Sequence, residues 1–212
     1  MKRVLPILVL LLSACAPSAG AAPTASAQTA TPDLRVLKVD SPLLLMNVTD
    51  LPREGKYTVL GTDWTGEVNN QAVLDAWGAE EGGKYITETG RVDGWWIQFN
   101  RTSSGAALPS AVSDSVAVYQ TVAGARLSVE KYATHGMKDY VEVEGTTQIG
   151  DGARAFMQKK GSNVDYVLYF SFRNLQHVIE IVGPENEATP TFASQIAMAV
   201  LGRTQSAPLS LP

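Results

Sequence analysis

Near the C-terminus the hydrophobic and polar positions alternate in three runs, Ala153–Lys159, Val164–Phe172 and Gln176–Val182. The last two are rich in β-branched and aromatic residues, so all three read as strands. Lys160-Gly161-Ser162-Asn163 and Arg173-Asn174-Leu175 separate them with turn residues. Connections this short join antiparallel neighbours, which predicts a three-strand meander. Within the third run His177, Ile179 and Ile181 alternate with Val178, Glu180 and Val182, and the isoleucine side is the expected core face.

A helical period follows. Thr189 or Thr191 can cap it, Pro190 suits the first turn, and Phe192, Ile196, Ala199 and Val200 share one face. Gly202 is placed to close it, with Arg203 ending the apolar stripe. Upstream, residues 94–101 and 112–119 alternate as strands. Thr121 opens a second helical period through Val122, Ala125, Val129 and Tyr132. Asn69 or Asn70 caps a further helix carrying Val73, Leu74 and Trp77, and residues 140–144 form a candidate short strand. Strands in hairpin order with helices between them predict an α+β fold, an antiparallel sheet with helices packed on one face.

The chain begins differently. Met1-Lys2-Arg3 is followed by nine residues, Val4–Leu12, of Val, Leu and Ile broken only by Pro6. A bilayer needs about 20 apolar residues, whereas a signal-peptide core needs about this many. Leu12-Ser13-Ala14-Cys15 comes next and resembles the bacterial lipobox, in which small residues precede an acylated cysteine. The resemblance implies cleavage after residue 14, Cys15 as the first mature residue, and lipid thioether-linked to it. Cys15 is the only cysteine, so no intramolecular disulfide can form, and acylation accounts for it. Two or more acyl chains hold stably where one is marginal.

Residues 15–32 carry the anchor and an uncharged Ala, Pro, Ser and Thr tether that cannot bury enough apolar surface to order itself. Residues 33–205 suffice for one globular domain, and 206–212 form a tail. The net charge of −4 becomes −6 when Lys2 and Arg3 leave with the signal peptide. That balance, with no basic cluster beyond Lys159-Lys160, argues against nucleic acid as a partner.

Several fragments imitate catalytic signatures. Ser128-Val129-Glu130-Lys131 has the S-x-x-K form of serine penicillin-binding proteins. Ser113-Asp114-Ser115 precedes it, the wrong order for that family, and the helical period puts Ser128 and Lys131 on a solvated face. Gly150-Asp151-Gly152-Ala153-Arg154-Ala155 fits a loose dinucleotide pattern, but a strand follows it where phosphate binding needs a helix N-terminus. His135 and His177 are the only histidines, with no metal-ligand spacing around them. No cofactor is implied.

Trp64, Trp77, Trp95 and Trp96 remain. If Trp95 faces the core, Trp96 faces the other way with Gln98 and Asn100. A tryptophan beside amides on one sheet face is a platform for sugar rings or apolar ligands. The expectation is therefore a membrane-anchored lipoprotein of the cell envelope acting as a non-catalytic binding module. Its partners would be membrane lipid through Cys15 and a small molecule, glycan or envelope protein. The alternatives are an accessory subunit of an envelope complex and a hydrolase.

Overall fold

A computed structural model of the protein describes residues 36–38, 40–52, 56–59, 65–102, 107–144 and 148–207. Cys15, the signal peptide, the tether, Trp64 and residues 208–212 lie outside the described residues.

Two 3-10 turns, Ser41–Leu44 and Val48–Asp50, precede strands β1 (Tyr57–Val59) and β2 (Thr65–Glu67). Helices α1 (Asn70–Trp77) and α2 (Ala79–Thr89) lead into the long strands β3 (Arg91–Arg101) and β4 (Ala111–Tyr119). Helix α3 (Val122–Leu127) runs on into a π-helical turn, Ser128–Tyr132. Then come β5 (Val141–Glu142), β6 (Gly152–Lys160), β7 (Asn163–Phe172), β8 (Leu175–Pro184) and α4 (Pro190–Ser206).

Every pairing is antiparallel, and the strand order is β1-β3-β4-β8-β7-β6-β5, with β2 joining β3 beside β1. The class is α+β with an antiparallel sheet. The expected meander is not a unit of its own, because β8 pairs β4 along its other edge and β6 pairs β5. Those partners come from distant sequence, which alternation within a run does not reveal.

The helices do not keep to one face, and here the expectation is corrected. Register places Val112, Asp114 and Val116 of β4 on a first face with His177, Ile179 and Ile181 of β8. Helix α4 covers that face with Ala193, Ile196, Ala197 and Val200, all fully buried. Ala117 and Tyr119 point to the second face, where Val73, Tyr85 and Ala125 of α1, α2 and α3 pack on them. Central strands explain the two layers. Tyr166 and Val167 are successive in β7, face opposite ways and are both buried, and a strand buried on both sides needs cover on both.

Side-chain caps fix three helix starts. Asn69 accepts from the Ala72 amide, Thr121 from Gly124 and Thr189 from Phe192. Helix α4 runs past Gly202 to Ser206. Arg203 donates to both Asp50 oxygens at 2.8 Å, and the buried Thr204 hydroxyl donates to Val200 O at 2.9 Å. Contact with a turn 153 residues away thus extends the helix.

The first face holds one buried polar knot. His177 Nδ1 lies 3.1 Å from Asp114 Oδ1, both residues are fully buried, and Asp114 Oδ2 accepts the Met46 amide at 2.7 Å. Asp114 thereby ties the N-terminal segment, with Leu44 and Met46 in the core, onto the sheet.

Candidate functional site on the second sheet face

Strand β3 divides its side chains as pleating requires. Trp95 joins Val116 and Leu175 on the first face, while Trp96, Gln98 and Asn100 stand on the second. Register extends each of these three across the sheet. Trp96 is level with Ser115, Val178 and Tyr169; Gln98 with Ser113, Glu180 and Val167; Asn100 with Ala111, Val182 and Asp165. The structure therefore brings the three sequence-predicted residues together and adds a set from β4, β7 and β8.

The β4 contribution to this grid is small: Ser115, Ser113 and Ala111. It makes a low floor between the larger side chains of β3 and β8, about 10 Å apart at two strand spacings and about 14 Å long. Residues bordering the floor are half-buried, whereas Val112, Asp114 and Val116 beneath it on the first face are fully buried. Gly66 of β2 pairs with Trp96, and a Cβ there would stand 3.5 Å from the indole nitrogen. With no side chain at Gly66, the indole is left uncrowded on that side.

Gln98 Nε2 donates to Asn100 Oδ1 at 3.1 Å. Asn100 Nδ2 is buried and has no acceptor. Ser113 donates to Glu180 Oε2 at 3.2 Å. Burial, and after it the negative charge of Asp165, raises the Glu180 carboxyl above the ordinary carboxylate range. Asp165 accepts from the Tyr140 hydroxyl at 2.5 Å and faces Lys160 at 3.6 Å, and its Oδ1 has no hydrogen-bond partner. The strip thus carries one aromatic face, amides, hydroxyls and an acid pair, which suits a ligand rich in hydroxyl groups. Its inner end meets the helical layer, where Ser115, Val178 and Tyr169 also line a cavity of ≈ 220 Å³ with Trp77, Tyr85 and Tyr132.

The other candidates separate. His135 stacks on Trp77 at 3.9 Å in the helical layer of the second face, while His177 is buried on the first, so they share no site. Among the described residues no three His, Cys, Asp or Glu side chains gather to hold a metal. Ser128 is not solvated as its helical period predicts; it is fully buried, 2.8 Å from the Tyr119 hydroxyl. The π-helical turn changes the residues per turn and rolls Ser128 inward beside Val129. Lys131 is exposed and pairs with Glu88 instead. Gly150 adopts φ 63° in the turn before β6, so its motif opens a strand.

Sequence reasoning missed Ser113, Asp165 and Glu180 as members of this strip. Ser113 lies out of phase with the buried Val112 and Val116, and Glu180 with Ile179 and Ile181, whereas Asp165 shares its phase with Val167 and Tyr169. Only register shows that the three share a face with Trp96.

No helix among the described residues is long and apolar enough to cross a membrane. No protein-family model and no curated protein matches the chain. Among solved structures the chain is similar to the extracellular domain of PknH from Mycobacterium tuberculosis, at 12% identity and a TM-score of 0.43, over 57% of this chain and 69% of that one.

Proposed function

We propose that the protein is a lipid-anchored, extracytoplasmic binding module that holds an uncharged sugar chain on the strip around Trp96. The supporting observation is the shared placement of Trp96, Gln98 and Asn100 beside the low β4 floor. An indole face takes the apolar side of a sugar ring, and amide and hydroxyl groups beside it can pair with the sugar's hydroxyls. An extended peptide is a poorer match. Peptides that add to sheets need an unpaired edge, whereas β3 and β4 are interior strands already paired on both sides.

The anchor reading rests on the Leu12–Cys15 sequence. Docking as a subunit has less support, since among the described residues the exposed large hydrophobics are few, Leu43, Val92, Val141 and Met198, one on each of four elements. A hydrolase has less still, because the histidine–carboxylate pair found among the described residues, His177 with Asp114, is sealed in the core.

The test uses the full chain in detergent, melted with a panel of uncharged oligosaccharides. A sugar at 100 times its dissociation constant adds about 2.7 kcal/mol, a rise of roughly 5–10 °C for a domain this size. Trp96→Ala should abolish the rise. A panel without effect, or a rise that survives in the variant, contradicts the reading.

A further inference from the structure

The cavity at the inner end of the strip is lined by a charge that no described carboxylate balances. Arg91 lines it and is 6% exposed. Its guanidinium donates to Asn70 Oδ1 at 2.8 Å and to the Val68 carbonyl, which engages two of five N–H donors. No carboxylate pairs with it among the described residues. A buried cation without a counter-charge is costly to hold, yet the backbone makes room for this one. A Cβ at Gly94 would collide with Arg91 Nη2 and stand 2.8 Å from the Val116 carbonyl, and β3 carries a register shift between Arg91 and Asp93.

The rest of the lining is aromatic and apolar. Trp77 lies 4.6 Å from Tyr85, ring centre to ring centre, and Tyr132 packs edge-on to Tyr85 at 4.8 Å. Ser115, Ser128 and Gln176 add polar atoms to the lining. A dry cavity of about 150 Å³ holds benzene, so ≈ 220 Å³ has room for one ring and a short acidic arm. A planar guanidinium matches a carboxylate, and ring walls with a few placed polar groups are the usual make-up of a small-molecule site.

We propose that this cavity is a second binding site, adjoining the sugar strip and distinct from Trp96, for a small monocarboxylate carrying one planar ring, with Arg91 holding the carboxylate. The test is calorimetric titration of the full chain in detergent with phenylacetate and, separately, phenylacetamide, which differs only in charge. Phenylacetate should bind saturably and at least tenfold more tightly than the amide. Arg91→Gln should remove that preference. Because Arg91 also braces Asn70 and Val68, a second variant, Ala117→Leu, fills the cavity while keeping Arg91 in the chain and should abolish binding of both probes. Trp96→Ala should leave phenylacetate binding intact, which separates this site from the strip. Equal affinity for acid and amide, no binding of either, or undiminished binding in Ala117→Leu would overturn the proposal.

Discussion

Asp114 and Glu180 are both carboxylates on adjacent central strands, and their surroundings give them opposite roles. Asp114 is enclosed and doubly engaged, by His177 and by the Met46 amide. Removing it leaves both partners buried and unmet, a loss of about 3–5 kcal/mol. Asp114→Ala should therefore lower the melting midpoint by roughly 10 °C or more, with early loss of amide-exchange protection at Met46. A midpoint within a degree or two of wild type would remove the knot from the account. Glu180 borders the strip, and burial with the Asp165 charge raises its carboxyl. The folded protein then holds this proton more tightly than the unfolded chain. That contribution is complete below the ordinary carboxylate range and fades as pH rises through the raised value. Glu180→Gln cannot ionise, so its stability should gain on wild type as pH rises and the gap should close on acidification. Parallel stability–pH curves for the two proteins would contradict the assignment.

Elements were legible where local pattern and tertiary demand agree. Strands β6, β7 and β8 fall within two residues of the bounds read from alternation, because turn residues punctuate them and one phase of each is apolar. Trp96, Gln98 and Asn100 could be assigned to one face for the same reason. Helix α2 was not legible, since Gly82-Gly83 sits in its middle and argues against a helix. The structure explains one glycine and not the other. A Cβ at Gly82 would stand 3.1 Å from the Val73 carbonyl and 3.2 Å from Leu74 Cα, so α1 and α2 approach closely there, whereas nothing lies within 4 Å at Gly83. Gly83→Ala should stabilise by about 0.5–1 kcal/mol, and Gly82→Leu should destabilise by about 1–3 kcal/mol through overpacking. Chemical denaturation of both variants decides it; equal responses would mean the helix contact is not what excludes a side chain. The extension of α4 past Gly202 and the inward roll of Ser128 were hidden for a related reason. One depends on Asp50 far along the chain, the other on a π-helical turn, and neither leaves a mark in a 3.6-residue period.

At the scale of the whole molecule, two helical layers and one sheet leave a single feature to explain: the second face is covered over Ala117 and Tyr119 and only half-buried from Ser115 to Ala111. A face with alternating small and large residues, hydroxyls, amides and an acid pair is not the apolar surface a third layer would require. On the proposed reading it takes a ligand, and an acylated Cys15 with a tether of small residues would present that site at a membrane. Arg91 and the cavity were beyond sequence reading, because one arginine at a strand start carries no pattern; its lack of a paired carboxylate among the described residues is a fact of three dimensions.

The central claim is that the second face of β3 binds sugar while the first does not, and Trp95 and Trp96 test it as neighbours on opposite faces. The measurement is calorimetric titration of the full chain in detergent with the uncharged trisaccharide of N-acetylglucosamine, and with the glucose trimer, against wild type, Trp96→Ala and Trp95→Phe. The account predicts saturable binding of at least one trimer to wild type and to Trp95→Phe, and its loss in Trp96→Ala. Binding unchanged in Trp96→Ala, or no heat from either trimer with wild type, would contradict it.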